Sequence, residues 1–203
     1  MLAASRFFIA VCVAVLLVAC GRTPTLPKLS PHDVILAFGD SLTHGTGASE
    51  ATAYPAVLAA LSGHTVINAG VPGDTTATGL QRLPAVLDEY KPRLVLLCLG
   101  GNDMLQKQPE ATTENNLRLL VQTIRSSGAE VVLIGVPEPK LFGGAPDFYA
   151  RVAKDMKLPL EEQAFNDVLK DNRLKSDPIH ANAAGYRVVA ERLDAFLKEA
   201  GAL

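Results

Sequence analysis

Val34-Ile35-Leu36-Ala37-Phe38-Gly39-Asp40-Ser41-Leu42-Thr43-His44-Gly45 is the stretch around which the chain is organised. Its five leading apolar residues predict a short buried strand that stops at Gly39. Polar side chains then follow in a tight bend, so Ser41 stands at the rim of a core. If a helix starts there, its backbone N–H groups and dipole favour negative charge. That suits a nucleophile whose reaction builds an oxyanion. Gly-Asp-Ser is also ordinary turn chemistry, so the stretch needs support from the rest of the chain.

Working outward, apolar runs alternate with helical periods. Tyr54, Val57, Leu58 and Leu61 keep helix spacing, with Pro55 tolerated in the first turn. Thr65–Asn68 predicts a second strand. Leu80, Leu83, Leu87 and Tyr90 mark a helix that Pro84 is expected to kink or divide. Leu94–Leu99, apolar on both faces, has the character of a central parallel strand. Leu117, Leu120, Val121 and Ile124 form an amphipathic helix, and Val131–Val136 a fourth strand. Residues 138–148 read as a loop, 148–157 and 161–170 as helices, with a short strand near Leu158–Leu160. Tyr186, Val189, Leu193, Phe196 and Leu197 close the chain as a helix. This alternation predicts an α/β fold, a parallel sheet covered by helices on both faces. Right-handed crossovers then bring all strand C-termini to one edge, where such sheets bind ligands.

The 203 residues suit one domain, residues 32–203, after an N-terminal address. Arg6 and the apolar run Phe7–Val18 have signal-peptide character, the run being too short to span a bilayer. Leu17-Val18-Ala19-Cys20 resembles a bacterial lipobox, so residues 1–19 are expected to be a lipoprotein signal peptide and Cys20 the lipidated first residue. A simple signal peptide cut after Ala19, or an uncleaved anchor, are the other readings. Residues 20–31, rich in proline, are expected to form a tether. The expected location is the bacterial cell envelope, lipid-anchored and facing the periplasm. Gly21, in place of an aspartate after the cysteine, tilts this towards the outer membrane. Cys98 then remains alone in an apolar run, so no disulfide framework or zinc motif is present. A net charge of −2 carries no basic excess for nucleic acid, and the lack of Trp counts against long glycan clefts.

Three polar, glycine-bearing segments follow the first three strands: Gly39-Asp40-Ser41, Asn68 to Thr75, and Gly100-Gly101-Asn102-Asp103. The sheet argument brings them together. A fourth, Ser176-Asp177-Pro178-Ile179-His180, precedes the last helix. Acyl transfer needs a nucleophile, a base, a group that orients the base, and oxyanion donors. Ser41 is the candidate nucleophile and His180 the candidate base, with Asp177 three residues earlier to orient it. His44, beside Asp40, stays open as an alternative base. Asp177 and Pro178 also read as a helix cap and first turn, which would leave His180 a bystander. Ser41 N–H, Gly70 N–H and the Asn102 amide are the candidate oxyanion donors.

The order and separation of Gly39-Asp40-Ser41-Leu42, Gly70, Gly100–Asp103 and Asp177–His180 resemble the four blocks of the GDSL, or SGNH, hydrolases. The likeness covers about residues 33–200 and is nearest to the branch of multifunctional esterase, thioesterase I and lysophospholipase L1, often called arylesterases. It implies a flavodoxin-like three-layer α/β/α sandwich. It implies Ser41, His180 and Asp177 as nucleophile, base and partner, and Ser41, Gly70 and Asn102 as oxyanion hole. No metal or cofactor is implied. The branch commonly has glycine inside the last block and proline after the histidine, where this chain has Pro178 and Ala181. Without a Gly-x-Ser-x-Gly elbow, the α/β-hydrolase fold is disfavoured.

The expected reaction is hydrolysis of a carboxylic ester or thioester through an acyl-Ser41 intermediate. Aryl esters, acyl thioesters and lysophospholipids are the substrates in view. Met104, Leu105, Leu141, Phe142 and Phe148 are candidates to line an acyl groove, with simple loop packing as the alternative. A carbohydrate O-deacetylase is the second enzymatic reading. A non-catalytic lipoprotein that binds acyl groups or anions is the third. The expected partners are a small acyl-ester or lysolipid substrate and a membrane reached through Cys20, with the protein itself a monomer.

Overall fold

A computed structural model describes residues 24–139 and 143–203. The strands are β1 (Val34–Gly39), β2 (Thr65–Gly70), β3 (Leu94–Cys98), β4 (Glu130–Ile134) and the two-residue β5 (Leu160–Glu161). They form one sheet in the order β2-β1-β3-β4-β5, and every neighbouring pair is parallel. This is the flavodoxin-like order, whose direction of winding reverses between β1 and β3. Gly39 pairs with Gly70 on one side and with Cys98 on the other, so three strand ends stop level. The loops leaving these three strand ends meet at the reversal point.

The helices are α1 (Ser41–His44), α2 (Tyr54–Ser62), α3 (Thr76–Tyr90), α4 (Gly101–Leu105), α5 (Glu110–Ser126), α6 (Asp147–Met156), α7 (Ala164–Lys170) and α8 (Ala183–Glu199). The reversal of winding puts α2 and α8 on one face of the sheet and α3, α5 and α6 on the other. β3 is buried along its whole length, as a strand covered on both faces must be. Ile35 to Phe38, Leu94 to Leu99 and Val131 to Ile134 form the middle of the core. Leu83, Leu117, Leu120, Val121, Val189 and Leu193 close over it.

Three expectations change. Pro84 does not divide its helix: α3 runs unbroken through it. One lost backbone bond is outweighed by the burial of Leu83 and Leu87 on either side, and by a capping box between Thr75 and Thr78. The final helix begins at Ala183, capped by Asn182 Oδ1 on Gly185 N–H, so Asp177 is not its cap. The later part of the predicted tether belongs to the fold. Leu26 and Leu29 are buried, and their N–H groups donate to Ala200 and Ala202 carbonyls at 2.8 Å each. Two leucines at this spacing find an apolar seat beside the end of α8, which holds Pro27 between them in place. Cys20 and the signal-like segment lie outside the described residues.

Candidate active site

Ser41 is the first residue of α1. Asp40 caps that helix, its Oδ1 accepting from Leu42 N–H at 3.0 Å, so the turn after β1 is a strand-to-helix bend held by its own side chain. His180 Nε2 stands 2.9 Å from Ser41 Oγ. His180 Nδ1 stands 2.7 Å from Asp177 Oδ2, while Asp177 Oδ1 accepts from the Ile179 and His180 N–H groups at 2.9 Å each. The carboxylate therefore folds back on its own turn and fixes the ring three residues on. Partial burial alone would raise the Asp177 carboxyl. The Ile179 N–H and His180 together outweigh it and hold the group below the usual carboxylate range. His44 occupies the last turn of α1, and among the described residues its ring has no bond to Ser41. The serine is held by His180.

Asn102 is the second residue of α4, and its side-chain amide donates to the Asp74 carbonyl at 2.8 Å and, more weakly, to Asp40 Oδ2 at 3.3 Å. Asp103 is buried beside it and accepts from Thr76 N–H at 2.8 Å and Thr76 Oγ1 at 2.6 Å, pinning α4 to the start of α3. Burial lifts the Asp40 carboxyl to about 7, against the lowering pull of the Leu42 N–H and with help from Asp74 and Asp103.

Gly70 does not occupy the place expected of it. Its N–H is spent on Asn68 Oδ1 at 3.0 Å. It is glycine for a different reason: a Cβ there would lie 2.1 Å from His44 N, so the residue lets α1 pack on β2. The other glycine of this loop is Gly73, one residue before the Asp74 carbonyl that holds Asn102. Asp74 N–H returns to the Val71 carbonyl at 3.1 Å, and Gly73 takes φ +87°, closing a Pro-Gly turn. Among the described residues neither Gly73 N–H nor Ser41 N–H has a protein acceptor. Gly73 also adjoins Asp74, the residue clamped on Asn102. The Pro72-Gly73 pair was the available sequence signal, since a turn of that type leaves its central N–H outside the ladder.

A cavity of about 550 Å³ opens from Ser41 and His180. Leu105, Val136, Pro137, Leu169 and Ile179 give it apolar walls, and Asn166, Lys170, Asn172 and Lys175 line its polar part. Of the five candidates for an acyl groove, Leu105 is on this cavity wall. Met104 instead packs on the core, and Phe148 lies buried in the first turn of α6, 4.4 Å from the Tyr149 ring. That helix begins at Asp147, one residue before the expected start, and turns Phe148 inward. Leu141 and Phe142 lie outside the described residues. Among the described residues no cluster of His, Cys, Asp or Glu is arranged to hold a metal ion.

A doubly wound parallel sheet with Ser, His and Asp in hydrogen-bonded series at its winding reversal defines a class of α/β hydrolytic enzymes. Residues 37–188 match the GDSL-like lipase/acylhydrolase family, and the chain belongs to it. It is 35% identical over 172 residues to thioesterase 1/protease 1/lysophospholipase L1 of Escherichia coli K12, covering 81% of this chain and 83% of that protein. It is 33% identical over 168 residues to an arylesterase of Vibrio mimicus, covering 77% and 84%. The crystal structure of TesA superposes with a TM-score of 0.74 at 32% identity, over 83% of this chain and 99% of that one. The protein is thus an ester-hydrolysing enzyme of the SGNH fold.

Proposed function

We propose that this chain is a serine esterase, cleaving carboxylic esters and thioesters of small to medium acyl chains through an acyl-Ser41 intermediate. The observation that carries this is the series Asp177–His180–Ser41, at 2.7 and 2.9 Å. His180 Nε2 takes the Ser41 proton as Oγ attacks the acyl carbon. The Asp177 carboxylate stabilises the imidazolium that forms and keeps its ring oriented. Ser41 N–H, Gly73 N–H and an Asn102 amide hydrogen receive the oxyanion. Of the two Asn102 hydrogens, the one on Asp74 serves as an anchor. The other makes the longer contact, with Nδ2 3.3 Å from Asp40 Oδ2, and can exchange it for the substrate oxygen. The imidazolium then gives its proton to the departing alcohol or thiol. Water repeats the sequence on the acyl-enzyme and regenerates Ser41.

The apolar walls beside Ser41 favour an acyl chain over a bare acetyl group, and so aryl esters, acyl thioesters and lysophospholipids over acetylated glycans. A p-nitrophenyl series from acetate to palmitate, run beside Ser41→Ala, tests both points. Activity that needs Ser41 and peaks beyond acetate is expected. An acetate optimum would favour the deacetylase, and no Ser41-dependent activity in a folded protein would favour a binding role. The lipobox-like sequence ending at Cys20 supports a lipid-anchored, periplasm-facing enzyme. An unmodified Cys20 in the intact mass of the membrane fraction would remove that placement.

A further inference from the structure

Arg82 lies on α3, outside the cavity wall, yet its guanidinium joins three segments of the site. Nε donates to Asp74 Oδ2 at 2.6 Å. Nη2 donates to two main-chain carbonyls, Gly39 at 3.0 Å and Ala69 at 2.9 Å. Its Cζ sits over the Phe38 ring of β1, 4.0 Å from the centroid, a cation–π contact that adds to these bonds. Gly39 ends β1, two residues before Ser41. Ala69 is near the end of β2, from which the Val71–Asp74 turn departs. Asp74 follows Gly73, and its carbonyl accepts the Asn102 amide at 2.8 Å.

We propose that Arg82 is a positioning residue for the oxyanion hole: by holding Gly39, Ala69 and Asp74 on one guanidinium, it sets the Gly73 N–H and the Asn102 amide against Ser41. The inference rests on the serine-esterase reading. A planar fork suits the task, because three acceptors lie in different directions and an ammonium group at the same place cannot serve them together. The second Asp74 oxygen is taken by Thr78 Oγ1 at 2.9 Å, so the carboxylate is held on both sides and its loop has one seat. Without Arg82, two carbonyls and a carboxylate oxygen at the base of the site lose their shared donor. Among the described residues, the Gly73 turn then keeps one direct hydrogen bond to β1, from Val71 N–H to the Gly39 carbonyl. Small displacements of this kind, far from the reacting atoms, lower turnover steeply.

The test compares Arg82→Ala and Arg82→Lys with the parent, in the full chain. It uses the best p-nitrophenyl ester, phosphorylation of Ser41 by diethyl p-nitrophenyl phosphate, and thermal melting. Both variants are expected to show kcat lower by about ten- to a hundredfold with KM unchanged. Phosphorylation should slow in parallel, because the phosphoryl oxygen occupies the same hole. Millimolar guanidinium ion should restore part of the Arg82→Ala rate, and the Arg82→Lys rate should not respond. A folded Arg82→Ala variant with parental kcat overturns the proposal. So does a loss that appears in KM, or one that guanidinium leaves untouched. If Arg82→Ala fails to fold, Arg82→Lys decides, and parental kcat there overturns it. Failure of the underlying reading shows elsewhere, as hydrolysis that survives Ser41→Ala whatever the state of Arg82.

Discussion

His180 Nε2 lies 2.9 Å from Ser41 Oγ, although 139 residues separate the two in sequence. Only the sheet edge brings them together: Ser41 follows β1, and His180 stands on the turn before α8. Among the described residues Ser41 has no other base, and His180 no other nucleophile, at hydrogen-bond distance. Ser41→Ala and His180→Ala should each lower kcat by on the order of 10⁴–10⁶-fold, and the double variant should lose little more. Steady-state kinetics of the three variants checks this.

Asp177 holds the His180 ring through Nδ1 and its own turn through two N–H groups. Asp177→Asn can keep the turn bonds but offers no anion to the imidazolium. Turnover should fall by roughly 10²–10⁴-fold with little change in melting temperature. A variant that lost stability and kept its turnover would make Asp177 a loop residue only.

Asn102→Ala removes an oxyanion donor and the clamp on the Asp74 carbonyl. A drop of about 10²–10³ in kcat is expected, with KM near that of the parent. Gly70→Ala should behave differently. Its Cβ would meet His44 N at 2.1 Å, so its effect belongs in thermal stability. Melting curves and kinetics on the same preparations separate the donor role from the packing role.

Asp40 is buried, and its carboxyl is lifted to about 7 by burial. In the unfolded chain it ionises near 4. Between those values the folded protein keeps a proton that the unfolded chain has lost, so this group's contribution falls as pH rises from about 4 to about 7. The change amounts to a few kcal/mol. Asp40→Asn should therefore gain stability relative to the parent across that interval. Denaturant melts at pH 4, 6 and 8 provide the difference.

Leu29 is buried beside the end of α8 and is fixed there by its N–H on the Ala202 carbonyl. Leu29→Ala should cost about 2 kcal/mol of stability. Because Leu29 packs at the C-terminal end of α8, opposite the end that follows His180, kcat should not move. Chemical denaturation together with kinetics tests both halves.

The parts of the fold that were legible were those written in local pattern. The apolar runs of β1, β3 and β4 and the 3.6-residue periods of α5 and α8 need no tertiary information, and sheet handedness then places Ser41 near Asn102. Asp177 and His180 were legible as a spaced pair, while their distance from Ser41 needed the whole chain. Gly70 and Gly73 were not separable by residue type, because both are glycines in one loop after β2. They differ in what their N–H groups meet among the described residues, Asn68 for one and no protein acceptor for the other. Phe148 resembled a loop aromatic until the first turn of α6 turned it into the core. Arg82 was hidden for a similar reason. A charged residue on an amphipathic helix reads as solvated, and its partners Gly39, Ala69 and Asp74 become visible only once β1 and β2 are side by side.

Covalent capture is the most direct test of the central claim. The protein would be mixed with its best p-nitrophenyl ester, quenched in acid within one turnover, and digested for mass spectrometry. The account predicts the acyl mass on the peptide that carries Ser41, formed with the burst of p-nitrophenol. An active enzyme whose acyl group sits on another residue, or that shows no acyl-enzyme under conditions where deacylation is slowed, would contradict it.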